Sequence, residues 1–252
     1  MAFLNVESSI SGRPWVGPSD ATRRAAETIA QSHDLPFAVA AVLARQNISE
    51  QEAKAYLNPQ LRDLLPDPLR LRDMDKAASR LIEAMLKKQR IAIFADYDVD
   101  GATSAALLIN WLKHFGQAAT LYIPDRVEEG YGPNETAMQN LGQHHDLIIC
   151  VDCGTLSHAP VKAAHPAEVI ILDHHLGAET LPQCCAVVNP NRQDEDNDLG
   201  HLCAASVVFL CLVEAGRQLR KTDQTGPDLI QMLDSLALAT VADVAPLIGV
   251  NR

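Results

Sequence analysis

Three short segments of this sequence end apolar runs with side chains of the kind that hold metal ions. Asp96-Tyr97-Asp98-Val99-Asp100-Gly101 follows the run Ile91–Ala95, Asp152-Cys153-Gly154-Thr155 follows Leu147–Val151, and Asp173-His174-His175 follows Glu168–Leu172. A lone Asp after a strand is ordinarily a turn residue or a helix cap. Three such ends, two of them with clustered ligands, are far harder to obtain by chance. If Asp96–Asp100 stays extended, every second side chain points the same way and three carboxylates face one point. Without cations their mutual repulsion would be costly. Gly101 lets the chain turn closely into the next helix, whose N-terminal amides favour anions. A calcium loop of the EF-hand type needs a Glu at its twelfth position, and none stands there. Neutral imidazole with carboxylate suits manganese, and magnesium less well. Two such ions ~3.5–4 Å apart activate a water and stabilise the leaving oxygen of a phosphoester. The sequence offers neither a Ser-His-Asp elbow nor a Gly-rich Walker loop.

The elements that must position these groups can be read from periodicity. Short continuous apolar runs at Ile91–Ala95, Ala119–Ile123, Leu147–Val151 and Glu168–Leu172, with a further one at Ala186–Val188, predict strands buried on both faces, as in a parallel sheet. Helical stretches at Ala102–Phe115 and Asn134–Gln143 separate them, and two more helices are expected over His201–Arg220 and Pro227–Val241. The alternation predicts an α/β fold: a doubly wound, mostly parallel sheet flanked by helices, in which ligands bind beyond the carboxyl ends of the strands. Before it, Met74–Gln89 places Ala77, Ala78, Leu81, Ile82, Met85 and Leu86 on one helical face. Earlier still, Ser19 or Asp20 caps a helix from Ala21, and short helical patterns run to about Leu57. The expected organisation is a helical N-terminal segment over residues 1–72 and a catalytic domain over 73–252.

Composition sets bounds on function. No apolar run reaches the ~18 residues of a membrane span, and Met1–Ile10 lacks the pattern of a secretory signal. No membrane association is expected. Six cysteines in apolar or mixed surroundings read as reduced thiols of a cytoplasmic protein. The net charge of −11 is uneven: residues 1–90 carry 13 basic and 11 acidic side chains, residues 91–252 carry 8 and 21. A cation site accounts for some of that acid, and solubility for most of it, including Asp194, Glu195, Asp196 and Asp198. No basic stripe marks a nucleic-acid groove.

In order, Asp98-Val99-Asp100-Gly101, Asp152, Asp173-His174-His175 and Asp243 resemble the four motifs of the DHH phosphoesterases. The strings Ala95–Ser104, Tyr122-Ile123-Pro124-Asp125-Arg126, Glu129-Gly130-Tyr131-Gly132 and Leu236–Val244 are similar to the RecJ-like branch of that superfamily. The resemblance covers most of the chain. It implies a metal-dependent phosphodiesterase, a 5′→3′ exonuclease that hydrolyses single-stranded DNA to mononucleotides in repair and recombination, with two Mn²⁺ or Mg²⁺ ions. It further implies that Asp98, Asp100, Asp152, His174 and Asp243 are metal ligands, with Asp100 and Asp152 as bridges. His175 would contact the scissile phosphate, and Asp96 would lie close by as a ligand or its supporter. Single-strand-binding protein or helicase partners are implied in the same way, as is a second domain downstream of these 252 residues. Two positions depart from the pattern. Phe94 stands where many DHH enzymes carry a histidine, so that one metal site would lean on Asp96 or bind more weakly. Leu202-Cys203-Ala204-Ala205-Ser206 replaces a Gly-rich helix start, which leaves no expectation of main-chain contacts there.

Other features have ordinary readings. Cys150 and Cys153 are expected to be inert thiols, His144, His145, His158 and His165 solvated, and Trp111 helix core. The few aromatics suggest no stacking platform for single-stranded bases. Arg126 is either a phosphate ligand or one half of a surface salt bridge. Two other functions stay open: a DHH phosphoesterase acting on short oligonucleotides, cyclic dinucleotides or pyrophosphate, and a non-catalytic RecJ-like scaffold. Retention of all four motifs argues against the scaffold.

Overall fold

The structure, a computed structural model, describes residues 2–196, 198–222 and 224–252. It divides into two compact units, Met1–Leu65 and Pro66–Arg252. In the first, helices α1 (Asp20–His33), α2 (Phe37–Arg45), α3 (Glu50–Leu57) and the short α4 (Leu61–Leu64) follow a loop. Ser19 caps α1, its hydroxyl accepting from Thr22 N at 3.1 Å, and a Ser49/Glu52 capping box opens α3. Ala26, Ile29, Ala40, Leu43, Ala44 and Ala53 form the core of this unit.

The second unit holds the chemistry. Its first long helix, α5 (Met74–Leu86), buries Ala77, Ala78, Leu81, Ile82 and Met85, whereas Leu86 is exposed. The apolar runs then form strands β1 (Ile91–Ala95), β2 (Ala119–Tyr122), β3 (Leu147–Val151), β4 (Glu168–Leu172) and β5 (Ala186–Val188). All four pairings are parallel, in the order β2-β1-β3-β4-β5. Every residue of β1 and β3 is buried, as expected where helices cover both faces. On one face, α7 (Glu135–His144) and α8 (His158–Ala163) supply Met138, Leu141 and Val161 to a cluster with Phe94, Ile148 and Ile171. On the other lie α5, α6 (Val99–His114) and α9 (Ala204–Arg220), with α10 (Leu233–Ala242) packed against α6 and α9. Each fully buried Ile, Leu or Phe contributes roughly 1.5–3 kcal/mol, so these two layers fix the strand ends firmly. Trp111 of α6 is wholly buried, as expected for helix core.

Helix α6 departs from the sequence reading in a way that matters for the site. It starts at Val99 rather than Ala102, because Asp98 is its N-cap, its Oδ1 accepting from Gly101 N at 2.9 Å. Gly101 is therefore inside the first turn, and a Cβ there would lie 2.4 Å from the main-chain oxygen of Asp96. Only glycine lets α6 approach that strand end so closely. Two further differences are smaller. Helix α8 is short and starts two residues before Pro160, so periodicity does not reveal it. Helix α10 begins at Leu233, after a 3-10 turn over Leu229–Met232, rather than at Pro227.

Candidate metal centre

The carboxyl ends of β1, β3 and β4 lie side by side, and the three ligand-bearing segments meet there. Of the alternating Asp96, Asp98 and Asp100, the first two come together but Asp100 does not join them as an extended strand would make it. Asp98 caps α6 and Asp100 lies in its first turn. The helical turn carries the Asp100 carboxylate to the start of α9, where Oδ2 accepts from Ala204 N at 2.7 Å and Oδ1 from Ala205 N at 2.8 Å. Those main-chain donors belong to the segment for which the sequence gives no expectation. They point two helix-start amides at a buried anion.

Three overlapping groups of ligand atoms result: Asp96, Asp98 and Asp152; Asp152, His174 and His175; and Asp100, His174 and Asp243. Asp152 and His174 each stand in two of them. His174 Nε2 lies 3.3 Å from Asp152 Oδ1 and 3.8 Å from Asp100 Oδ2, and its Nδ1 lies 3.9 Å from Asp243 Oδ2. Asp152 has φ of 60°, a left-handed backbone that is uncommon away from glycine and of the kind that persists at functional sites.

The electrostatics of these carboxylates favour a cation. Asp96, Asp100 and Asp152 are each at most 4% exposed. No Lys or Arg pairs with Asp96, Asp98, Asp100, Asp152 or Asp243 among the described residues. Burial, then the neighbouring Asp100 and Asp98, pushes Asp152 far above the carboxylate range. Burial likewise raises Asp96 and Asp100. Asp96 Oδ1 and Asp152 Oδ1 are buried without a hydrogen-bond partner. Asp152 Oδ1 lies near His174 Nε2, but the approach lacks hydrogen-bond alignment. Buried polar atoms are ordinarily satisfied, and unpaired carboxylate oxygens beside imidazole match what a divalent cation coordinates. The donor set therefore fits manganese or magnesium.

Asp173, whose place in the motif does not by itself announce a role, organises the histidine pair. It is 1% exposed. Its Oδ1 accepts from His174 N at 2.8 Å, His175 N at 3.2 Å and His175 Nδ1 at 2.8 Å, and its Oδ2 from Thr155 N at 3.0 Å. Burial pushes its pKa up, but the His175 and Thr155 hydrogen bonds prevail and hold it at about 2. In return its hydrogen bond raises the pKa of His175. Tyr131 sits beside them, its hydroxyl donating to the main-chain oxygen of Asp152 at 3.1 Å and lying 3.2 Å from both ring nitrogens of His175.

Arg126 makes no ion pair among the described residues, so the salt-bridge reading finds no partner. Its guanidinium lies 5.1 Å from the centre of the Tyr97 ring, and Tyr97 meets Tyr131 edge to face at 6.5 Å. No spacing in the sequence announces this cluster. Phe94, in place of the family histidine, is wholly buried and stacks on Tyr122 at 5.2 Å. Cys150 and Cys153 are free and buried, and burial raises both thiols, which makes them poor nucleophiles.

Comparison with known proteins agrees with this geometry. Residues 90–240 match the DHH family, N-terminal domain. The chain is 32% identical over 225 residues to the single-stranded-DNA-specific exonuclease RecJ of Bacillus subtilis, covering 88% of this chain and 27% of that protein. It is 36% identical over 228 residues to the RecJ of Dickeya dadantii, covering 86% and 39%. The crystal structure of RecJ in complex with Mn²⁺ from Thermus thermophilus superposes with a TM-score of 0.73 at 29% identity, over 93% of this chain and 32% of that one. The chain thus spans about a quarter to two fifths of the length of these curated relatives. The order of its motifs, its five-stranded parallel sheet and the acidic cluster at the strand ends show that the chain belongs to the DHH family.

Proposed function

We propose that this chain is the catalytic part of a metal-dependent exonuclease that hydrolyses single-stranded DNA from its 5′ end to mononucleotides, in DNA repair and recombination. The observation that carries the reading is the pair of buried, unpaired carboxylate oxygens on Asp96 and Asp152, ringed by acid and histidine at adjacent strand ends. Asp96, Asp98, Asp100, Asp152, His174 and Asp243 would hold two ions, manganese or magnesium. When bound, such ions supply an activated water and stabilise the oxygen that leaves. The remaining work falls to side chains. Asp173 fixes the ring of His175 through Nδ1, which aims the imidazole at the phosphate to be cut. Arg126, exposed and in no ion pair among the described residues, would hold a substrate phosphate from its perch on Tyr97.

Support for a polynucleotide substrate comes from the RecJ-like relatives and from the Tyr122–Arg126 segment. The charge of residues 91–252 supports a further part of the reading: much of the surface that tracks the DNA backbone lies outside these residues, in the length that the relatives have and this chain does not span. Phosphate neutralisation sets affinity for single strands, so residues 1–252 alone should bind DNA weakly and degrade it slowly. A cytoplasmic setting fits the six free cysteines. No helix among the described residues is long and apolar enough to cross a membrane. The decisive test is manganese-dependent release of mononucleotides from a long 5′-labelled single strand, run beside a dinucleotide. Preference for the long strand supports the reading. Hydrolysis of the dinucleotide alone would move the protein to the small-substrate phosphoesterases, and no hydrolysis of either would leave it a scaffold.

A further inference from the structure

The turn after β5 carries two asparagines that reach the catalytic strand ends from 14 to 17 residues away. Asn189 is 0% exposed. Its Nδ2 donates to the main-chain oxygen of His175 at 2.8 Å and to Thr155 Oγ1 at 2.8 Å, and its Oδ1 accepts from Asn191 N at 2.7 Å. The side chain of Asn191, half-buried, donates to the main-chain oxygen of His174 at 2.5 Å. Carbonyl oxygens only accept, so both amide groups must turn their NH₂ toward the histidines. The His174–His175 dipeptide is thus clamped on both sides: Asp173 takes its two N–H groups and the two asparagines take its two C=O groups.

The turn itself is anchored. Arg192, 7% exposed, donates through NH1 to Val187 O at 2.6 Å and to Asp73 Oδ2 at 3.0 Å, and through Nε and NH2 to Asp194 at 2.9 Å each. The main chain of Asn191 also accepts from Gly177 N at 3.0 Å, which ties the segment after the histidines to the same turn.

We propose that Asn189 and Asn191 are positioning residues, Asn189 for His175 and Asn191 for His174. The proposal rests on the functional reading above, which gives those two histidines different tasks. Groups that orient a ligand from behind ordinarily cost about 10–100-fold in metal affinity or activity when removed. Asn189→Ala is therefore expected to lower kcat on a single-stranded substrate by about 10–100-fold with KM little changed. Asn191→Ala should weaken manganese binding, read by calorimetric titration, by a similar factor. A purely structural role would not produce that split.

Two further measurements decide the matter. If Asn189 acts through His175, then in a His175→Ala background Asn189→Ala should add less than about two-fold, within ordinary additivity error. Full multiplication of the two losses would overturn the proposal. Independently of turnover, Asn189→Ala should shift the His175 ring resonances and speed exchange of its amide, while those of His145, at the opposite end of the sheet, stay put. Unchanged His175 signals in the folded variant would also overturn it. Should Asn189→Ala fail to fold, the half-buried Asn191 carries the same test through His174 signals and manganese affinity. If the unaltered chain proves inactive on DNA, the functional reading fails while the resonance and titration results still judge the asparagines.

Discussion

At the N-terminal edge of the sheet, Asp146 and Glu168 each pair with an arginine; at the C-terminal edge, five aspartates make no ion pair with Lys or Arg among the described residues. Asp146 accepts from Arg90 through NH2 at 2.8 Å and Nε at 3.2 Å and from its main-chain N at 2.8 Å, and Arg80 Nε donates to Glu168 at 2.7 Å. Around Asp96, Asp98, Asp100, Asp152 and Asp243 the partners are histidines and helix-start amides. A carboxyl group thus serves as a strut at one edge and stands without an ion-pair partner at the other, among the described residues. Asp173 shows that burial does not decide between the two. It is as buried as Asp152, yet it accepts four N–H groups while an oxygen of Asp152 accepts none. Donor count separates a structural carboxylate from one kept for a cation.

The largest expected effect tests the unneutralised edge. Asp152→Ala or Asp98→Ala should remove manganese-dependent hydrolysis, by more than the roughly 10–100-fold that supporting residues cost. Neither should unfold the protein. Relief of the burial and crowding that raise the Asp152 pKa should leave the metal-free Asp152→Ala variant as stable as before, or more stable by on the order of 1 kcal/mol. Manganese at about 100 times its Kd should raise the stability of the unaltered chain by about 2.7 kcal/mol, and this increment should vanish in both variants. Thermal melts with and without manganese give the answer. A large drop in metal-free stability for Asp152→Ala would make it a strut like Asp173 and break the contrast.

Asp173→Ala is the counterpart. It strands buried N–H donors from Thr155, His174 and His175, and removal of one partner of a buried pair costs about 3–5 kcal/mol. Denaturant unfolding should show that loss without manganese present. Stability equal to that of the unaltered chain would mean that the four hydrogen bonds to Asp173 do not hold the site together.

How much of this was legible beforehand follows from the range of each interaction. Strands β1, β3, β4 and β5 can be read to the residue because, apart from Glu168 at the start of β4, they are buried on both faces and therefore continuously apolar. The candidate ligands that follow β1, β3 and β4 can be read because they come directly after those strands, whereas Asp243, at the end of α10, is reached only through the resemblance to the DHH motifs. What escapes is set by a single cap or by contacts distant in sequence. The start of α6 depends on the Asp98 side chain, so the helical placement of Asp100 is invisible to periodicity. The amides of Ala204 and Ala205 reach Asp100 across more than a hundred residues, and the Arg126–Tyr97–Tyr131 cluster depends on how loops fold over the sheet. The strut role of Asp173 is a matter of donors, which sequence does not count.

A smaller effect sharpens the division between the two histidines. His174 stands in two ligand groups, whereas His175 has Nδ1 committed to Asp173. His174→Ala should weaken manganese binding itself, while His175→Ala should cut turnover by about 10–100-fold with affinity largely kept. Calorimetric titration of each variant separates the cases, and equal losses of affinity would merge the two roles.

The smallest effect lies at the paired edge and serves as the control. The hydrogen bond from the Arg90 side chain, then that from its main-chain N, holds Asp146 at about 2, below its ordinary 3.8. A carboxylate with a depressed folded-state pKa stabilises the fold above its unfolded value, and that contribution is lost as protons bind in the folded state. The window for Asp146 therefore runs from pH 3.8 down to about 2, with the contribution complete above it. The pair is solvent-exposed, and exposed pairs contribute little, so Asp146→Asn should lower the melting temperature only slightly at neutral pH. Its signature is in the acid limb: the variant should lose stability less steeply than the unaltered chain across that window, and the two curves should meet at its lower end. Hydrolysis should be unchanged, since Asp146 is at the opposite end of the strands from the metal ligands. A variant with reduced turnover at unchanged stability would show that the two edges are coupled through β1 and β3, and the division between strut and cation-holding acid would then have to be drawn along each strand rather than between its ends.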